Sequence, residues 1–146
     1  MSSTVDASVW VAAHVRAEVV HAEARAVVEA LVAAGEDLHQ PTLTVVEVAS
    51  AIHRRVRNER AATRVLSRML QIPGMTFHAL DVPAALDAAA HATRTALRGA
   101  DAIYLATAAA TGSTLITFDT ELRDKAPGGV SVMTPAEWVA SRTLTP

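Results

Sequence analysis

Hydrophobic and polar positions along this chain follow two patterns: short apolar runs, and longer segments in which apolar residues recur with helical spacing. The short runs predict β-strands in "STVDAS", "DLHQP", "MTFHALD", "STLITFD" and "VSVMT". The helical spacing predicts helices in "SVWVAAHV", "HAEARAVVEALVAAG", "LTVVEVASAIHRRVR", "ATRVLSRMLQI", "AALDAAAHATRTAL", "DAIYLATAAATG" and "PAEWVAS". Strands separated by helices predict an α/β fold, in which a parallel sheet is covered by helices on both faces.

Glycine and proline residues mark several ends of these elements. Gly35 is placed to stop the second helix, and Pro73-Gly74 stops the fourth. The helix that begins with "AALDAAA" is expected to run to Gly99. A break in the arginine-rich helical region is expected near Asn58.

Length and composition are typical of one compact domain covering residues 1–146. The chain is 51% hydrophobic and shows no repeat, low-complexity tract or linker. It has no cysteine, which excludes a disulfide framework and a thiolate metal site. The start lacks the features of a secretory signal, and no apolar stretch is long enough to cross a bilayer. We therefore expect a soluble, cytoplasmic protein that does not associate with membranes.

Asp101 and Asp119 lie next to apolar segments. Burial of an isolated carboxylate in such a place costs free energy. The predicted helix from Asp101 to Thr111 advances ~15 Å. The predicted strand from Thr114 to Asp119 returns about the same distance. Both aspartates are therefore expected at the carboxyl edge of the sheet.

Two further acids are expected at that edge. Asp6 closes the first strand, and Glu47 lies in the first turn of the helix after the second strand. The carboxyl edge is where open α/β sheets bind ligands. Four carboxylates gathered there repel one another unless a cation is present. A hard divalent ion with oxygen ligands, Mg²⁺ or Mn²⁺, is the expected cofactor.

Each acid also has a purely structural explanation. Asp6 and Asp119 could cap the helices that follow them, and the helix dipole could favour Asp101. Thr44 and Glu47 have the spacing of a capping box. These explanations do not require all four acids to meet at one edge. They stay open at this level, and substitution by amides distinguishes them from metal binding.

Positive charge is concentrated in one segment. Residues 53–70 contain six arginines and one acid, a net charge of +5, whereas the rest of the chain carries −7. The six are Arg54, Arg55, Arg57, Arg60, Arg64 and Arg68. A polyanionic partner would explain this asymmetry, and so would a solvated helix face. Aromatic residues make up only 3% of the chain, so readout of bases by stacking is expected to be weak.

Four segments together resemble the PIN domain nucleases, and among them the VapC-like toxins of bacterial toxin–antitoxin pairs. They are "VDASVW" with Asp6 and Ser8, "LTVVEVASAIHRR" with Glu47, "RGADAIYLATAAATG" with Asp101, and "LITFDTEL" with Thr117 and Asp119. The resemblance covers nearly the whole chain. It implies a three-layer α/β/α fold with about five parallel strands, and Mg²⁺- or Mn²⁺-dependent cleavage of RNA. It also implies homodimers and a cognate antitoxin that blocks the site.

Further roles follow from the resemblance and from the chemistry of the residues. Asp6, Asp101 and Asp119 would hold the metal, with Glu47 bound directly or through water. Ser8 and Thr117 would orient carboxylates, unless they are core or cap hydroxyls. Family members often carry one more acid after the fourth segment, and Glu121 or Asp124 could fill that place.

Arginines are the expected substrate contacts. Glu47, Ala51, Arg54 and Asn58 fall on one face of a helix, with Arg54 about 10 Å along from Glu47. Arg54 would grip a phosphate beside the metal, and Arg57 would add a second contact. Solubility or antitoxin docking would explain the arginines equally well.

Competing functions make different demands on the acids. A catalytically silent PIN-like module that binds RNA or protein would tolerate neutral residues at several of the four positions. A phosphoacceptor receiver domain would need an acid paired with Asp6 and a lysine late in the chain, and Asp6 has no acidic neighbour. Histidine chemistry is disfavoured because the six histidines show no ligand spacing.

Overall fold

A computed structural model describes residues 1–143 and shows the predicted alternation of strands and helices. Residues 144–146, which the predicted domain includes, lie outside the described residues. The elements are β1 (Ser2–Val5), α1 (Ala7–His14), α2 (His21–Ala33), β2 (Asp37–Pro41), α3 (Leu43–Val56), α4 (Glu59–Met69), β3 (Met75–His78), α5 (Val82–Thr95), α6 (Gly99–Thr111), β4 (Thr114–Ile116), α7 (Thr120–Lys125), β5 (Val132–Met133) and α8 (Pro135–Thr143).

The five strands form one parallel sheet in the order β3-β2-β1-β4-β5, which confirms the predicted fold class. The strand β1 is central: Ser3 lies opposite Leu38 of β2, and Val5 lies opposite Ile116 of β4. The chain moves outward from β1 to β3 and then returns to the other side of β1. The strand order therefore reverses between β1 and β4, and ligands of open α/β sheets bind outside such a point.

Helices cover both faces of this sheet. Right-handed crossovers place α1 to α4 on one face and α5 and α6 on the other, because the two sets of connections run in opposite directions. The first set packs α1 against α2 and α3, and the second packs α6 against β1 and β2. Trp10, Leu38, Leu105 and Ile116 are fully buried in the core between the layers. The three-layer α/β/α architecture matches the prediction.

The predicted stop at Gly35 and the break near Asn58 match the structure, whereas α4 ends at Met69, before Pro73-Gly74, and α5 also ends earlier than predicted. Gly35 takes a left-handed conformation (φ 64°) after α2, as expected of a helix stop. Arg57 is left-handed (φ 55°) after α3, and the Asn58 side chain accepts a 3.1 Å hydrogen bond from the Ala61 N–H to start α4. This confirms the break near Asn58. The fifth helix does not run to Gly99, because Ala96 is left-handed and closes it after Thr95.

An ion pair and apolar packing hold the last helix, α8, against the amino end of the sheet. Trp138 is buried, and the Arg142 guanidinium lies 4.5 Å from the centre of its ring. Arg142 also pairs with Glu36, whose side chain is 3% exposed, and Ser3 donates a 3.2 Å hydrogen bond to the same carboxylate. The helix α8 thus depends on a buried ion pair as well as on apolar packing.

None of the helices in residues 1–143 combines the length and apolar character needed to cross a membrane.

Candidate active site

Asp6 stands directly beyond the central strand. Its backbone N–H donates to the Ile116 carbonyl at 2.9 Å, which continues the pairing of β1 with β4. Its Oδ2 accepts hydrogen bonds from Ser8 Oγ at 2.6 Å and from Thr117 Oγ1 at 2.9 Å. Asp6 occupies the N-cap position of α1, but its side chain makes no capping bond. Capping therefore does not account for this acid, and two hydroxyl groups hold its carboxylate.

Asp119 follows β4 and has two structural partners. Its N–H donates to Thr117 Oγ1 at 3.0 Å, so Thr117 connects the two aspartates. Its Oδ1 accepts from the N–H groups of Glu121 and Leu122 at 2.8 and 3.3 Å. Asp119 is therefore the N-cap of α7, one of the structural explanations left open by the sequence. Both capping bonds use one oxygen, so capping and a second role are compatible.

Glu47 does not belong to a capping box. The helix α3 begins at Leu43, so Thr44 lies inside the helix rather than at its cap. Glu47 Oε2 instead accepts a 2.7 Å hydrogen bond from the Tyr104 hydroxyl. The capping explanation is wrong for this pair because the helix starts two residues earlier than the box requires, with Thr42 rather than Thr44 as its N-cap.

Asp101 lies in the first turn of α6 and is half-buried. Burial raises its pKa to about 6, and the charges of Asp6, Asp119 and Glu47 contribute, while Arg98 opposes them. Burial also raises the pKa of Glu47, and the Asp6 charge adds to this shift. The four acids therefore influence one another, which requires them to be close in space.

The two acids considered as a fifth member lie apart from this group. Glu121 and Asp124 are exposed on α7. Glu121 forms a 2.6 Å ion pair with Lys125 one turn later. The charges that raise the pKa of Asp101 are those of the other three acids at the sheet edge.

The donor set fits a divalent cation in type and charge. Four carboxylates at a partly buried edge are the oxygen ligands that Mg²⁺ and Mn²⁺ prefer. The pKa of Asp101 is raised first by burial and then by the charges of the other three acids. Within residues 1–143, however, no three His, Asp or Glu side chains are already arranged to hold an ion. Ligation by all four therefore requires their side chains to draw together.

A groove of about 520 Å³ begins at this site and continues between α1 and α3. Ser8 and Glu47 line its end at the acids, and Val46 and Phe118 contribute apolar surface. Arg54 also lines it and is hydrogen-bonded to Ser50, one turn before it on α3. The structure thus places Arg54 on the same face as Glu47, as the helical spacing predicts.

The remaining arginines occupy different positions. Arg55 lines the groove but is paired with Glu18. Arg57 is exposed at the left-handed end of α3 and does not line the groove. The other three are exposed on α4, on the far side of the break. The structure therefore brings Arg54, but not Arg57, beside the acids.

Sequence reasoning missed two residues that contact or influence the acids. Tyr104 lies one turn after Asp101 on the same helix, and this i, i+3 spacing could have identified it. Arg98, the N-cap of α6, lowers the pKa of Asp101. Its position in the "RGAD" stretch gave a similar signal.

The raised pKa of Asp101 gives a prediction for thermal stability. A carboxyl whose pKa is about 6 when folded and 3.8 otherwise loses stability as pH rises from about 4 to 6 and keeps the penalty above that. In EDTA at pH 7.5, Asp101→Asn should raise the Tm by roughly 2–4 °C after allowance for solvent screening. At pH 4 the two proteins should melt together. A differential scanning fluorimetry series from pH 4 to 8 tests this, and an equal gain at every pH would contradict it.

The sequence matches the PIN domain family over residues 4–127. None of the curated proteins matches the sequence.

Several solved structures resemble this chain along nearly its full length. PAE2754 from Pyrobaculum aerophilum is 23% identical, with 99% of this chain and 97% of that one covered and a TM-score of 0.71. VapC20 from Mycobacterium tuberculosis, described as a toxin that cleaves the sarcin-ricin loop, is 19% identical, with 89% and 99% covered and a TM-score of 0.71. A toxin–antitoxin complex from Klebsiella pneumoniae is 24% identical, with 92% and 98% covered and a TM-score of 0.66. At these identities the likeness establishes the fold.

Proposed function

The chain belongs to the PIN domain family, and we propose that it is a Mg²⁺- or Mn²⁺-dependent endoribonuclease that serves as the toxin of a toxin–antitoxin pair. The observation that carries this proposal is the electrostatic coupling of Asp6, Glu47, Asp101 and Asp119 at the reversal point of the sheet. A site that accumulates uncompensated carboxylates is suited to a cation and to phosphate chemistry that the cation supports.

Each residue has a distinct part in the proposed reaction. Asp6, Asp101 and Asp119 would ligate the ion, with Glu47 as a direct or water-mediated fourth ligand. The ion would lower the pKa of a water molecule and offset negative charge on the phosphate. The hydroxyls of Ser8 and Thr117 keep the Asp6 carboxylate in one orientation. The cap that Asp119 forms on α7 restricts its side chain in the same way.

The groove between α1 and α3 is the proposed path of the RNA strand. It joins Glu47 and Ser8 to Arg54, so a phosphate next to the scissile one could reach the guanidinium. Arg57, at the exposed end of α3, would contact RNA only beyond the groove. We further propose a cytoplasmic site of action, a homodimer and a cognate antitoxin. The toxin–antitoxin complex among the structural neighbours supports the last of these.

Incubation of the purified protein with total RNA tests the reaction. Cleavage is expected with Mn²⁺ or Mg²⁺ and should stop when EDTA is added. Cleavage that persists after chelation would contradict the metal mechanism. Binding of RNA without cleavage at any metal concentration would instead favour a silent PIN-like module.

Substitution of Arg54 tests the proposed path. Arg54→Ala should raise the KM for RNA about 3- to 10-fold and reduce the salt dependence of binding by about one phosphate contact, with kcat less affected. Arg25→Ala, which removes the same charge from an exposed i,i+4 pair with Glu29 on α2, is the matched control. Equal effects of the two substitutions would show that overall charge, rather than the groove, attracts RNA.

A further inference from the structure

Tyr104 is the single tyrosine of the chain. Its side chain reaches the candidate site from the protein interior. It is 1% exposed, and its hydroxyl donates to Glu47 Oε2 at 2.7 Å. Asp101, one turn earlier on α6, belongs to the same group of acids. A buried aromatic ring on α6 therefore ends in a polar contact with a residue of α3, on the other side of the sheet edge.

Two buried polar side chains, Thr44 and Gln40, lie on the side of this hydroxyl away from Glu47. Thr44, which is fully buried, lies beside the Tyr104 hydroxyl and lowers its pKa, although burial outweighs this effect. The Thr44 hydroxyl also lies 3.3 Å from the side-chain amide of Gln40. With Nε2 of Gln40 facing the Val5 carbonyl (2.8 Å) and Oε1 facing the Val5 N–H (2.9 Å), that amide is fully satisfied. In this orientation Nε2 faces Thr44, so the threonine hydroxyl accepts from Gln40.

Among the described residues, Glu47 is the acceptor to which the Tyr104 hydroxyl donates its proton. A tyrosine hydroxyl is protonated at neutral pH, so it acts as a donor to Glu47. The Gln40–Thr44–Tyr104 chain is anchored on Val5, the residue before Asp6. The carboxylate of Glu47 is thus fixed relative to the strand that carries another acid.

We propose that Tyr104 is a positioning residue that holds Glu47 by Oε2 and so leaves Oε1 for the divalent cation or its water. The proposal rests on the proposed function. It assigns to the Gln40–Thr44–Tyr104 chain the task of limiting how far Glu47 can move when the carboxylates draw together. A tyrosine with a merely structural role would stabilise the fold without affecting the ion.

Tyr104→Phe removes the hydroxyl and keeps the buried ring. We expect Mn²⁺ to bind this variant about 10-fold more weakly, as measured by isothermal titration calorimetry without RNA. At fixed subsaturating Mn²⁺, kcat should fall by a similar factor while the KM for RNA changes less than 2-fold. In a Glu47→Gln background the same substitution should have no further effect on Mn²⁺ affinity, because the group that it positions is already lost.

Ser113→Ala is the matched control, since it also removes a buried hydroxyl. Ser113 is bonded to Thr4 and Thr111 at the opposite end of β4 from Asp119. This variant should lose thermal stability but bind Mn²⁺ like the wild type. If Tyr104→Phe does not fold, Thr44→Val removes the preceding link and should weaken Mn²⁺ binding about 3-fold.

The outcomes separate this inference from the proposed function. Wild-type protein that neither binds Mn²⁺ nor cleaves RNA overturns both. Wild-type protein that does both, together with a folded Tyr104→Phe variant of unchanged Mn²⁺ affinity, overturns the role of Tyr104 alone. Equal losses of Mn²⁺ affinity in Tyr104→Phe and Ser113→Ala would also overturn it, because general destabilisation would then explain the effect.

Discussion

Replacement of Asp101 by asparagine is expected to lower RNA cleavage by about 10³-fold while leaving the fold intact. The amide is nearly the same size as the carboxylate, and it can still interact with the first turn of α6. It cannot supply the negative charge that a divalent ion requires. The rate should be measured under single-turnover conditions with labelled RNA and saturating Mn²⁺, and circular dichroism should verify the helical content.

Two further variants make this test specific. Glu47→Gln should also abolish cleavage, because Glu47 makes no capping bond that would explain its acidity. Asp124→Asn, on the exposed face of α7, removes one carboxylate outside the group and should cleave at the wild-type rate. Asp101→Asn protein that remains active with Mg²⁺ or Mn²⁺ would show that the four acids do not form a metal site.

Arg142→Met is expected to be the most destabilising of the substitutions considered, at about 3 kcal/mol. Arg142 pairs with Glu36, whose side chain is 3% exposed, and its loss leaves a buried carboxylate with the hydroxyl of Ser3. It also removes the cation from the face of Trp138. Urea denaturation followed by tryptophan fluorescence measures the free energy of unfolding, since Trp138 is in the affected region.

A double substitution checks the cause of that loss. Glu36→Gln combined with Arg142→Met removes both charges and should recover more than half of the stability, because the cost comes from the unpaired carboxylate. If the double variant is as unstable as Arg142→Met, the packing of the arginine stem on Trp138 accounts for the effect. Full stability of Arg142→Met would mean that the pair contributes nothing.

Periodicity predicted the elements and the position of the acids because both depend on local sequence. The predicted segment "DLHQP" coincides with β2 residue for residue. The apolar runs before Asp6 and Asp119 form the strands that place these acids at one edge of the sheet. Parallel pairing then follows from the helical segments between the strands. Simple rise per residue was enough to place Asp101 near Asp119, since a helix and a strand both have fixed lengths.

Features that depend on tertiary contacts could not be predicted from the sequence. The spacing of Thr44 and Glu47 satisfies a capping box, but the helix begins earlier and Glu47 pairs with Tyr104 across the sheet edge. The left-handed Ala96 ends α5 although alanine favours helix, so propensity alone gives the wrong end. Asp119 is a true helix cap, and no local pattern distinguishes a carboxylate that only caps from one that also belongs to an acidic group.

The central place of β1 in the sheet has a consequence for folding during translation. The strand β1 can complete its pairing only when residues 114–116 have been synthesised, more than a hundred positions later. Non-local pairing of this kind forms late and slowly. A nascent chain that ends before Asp119 carries at most three of the four acids, and one that ends before Thr114 also lacks the β4 side of the paired β1–β4 edge that aligns them. The candidate site therefore cannot assemble until residue 119 has been synthesised.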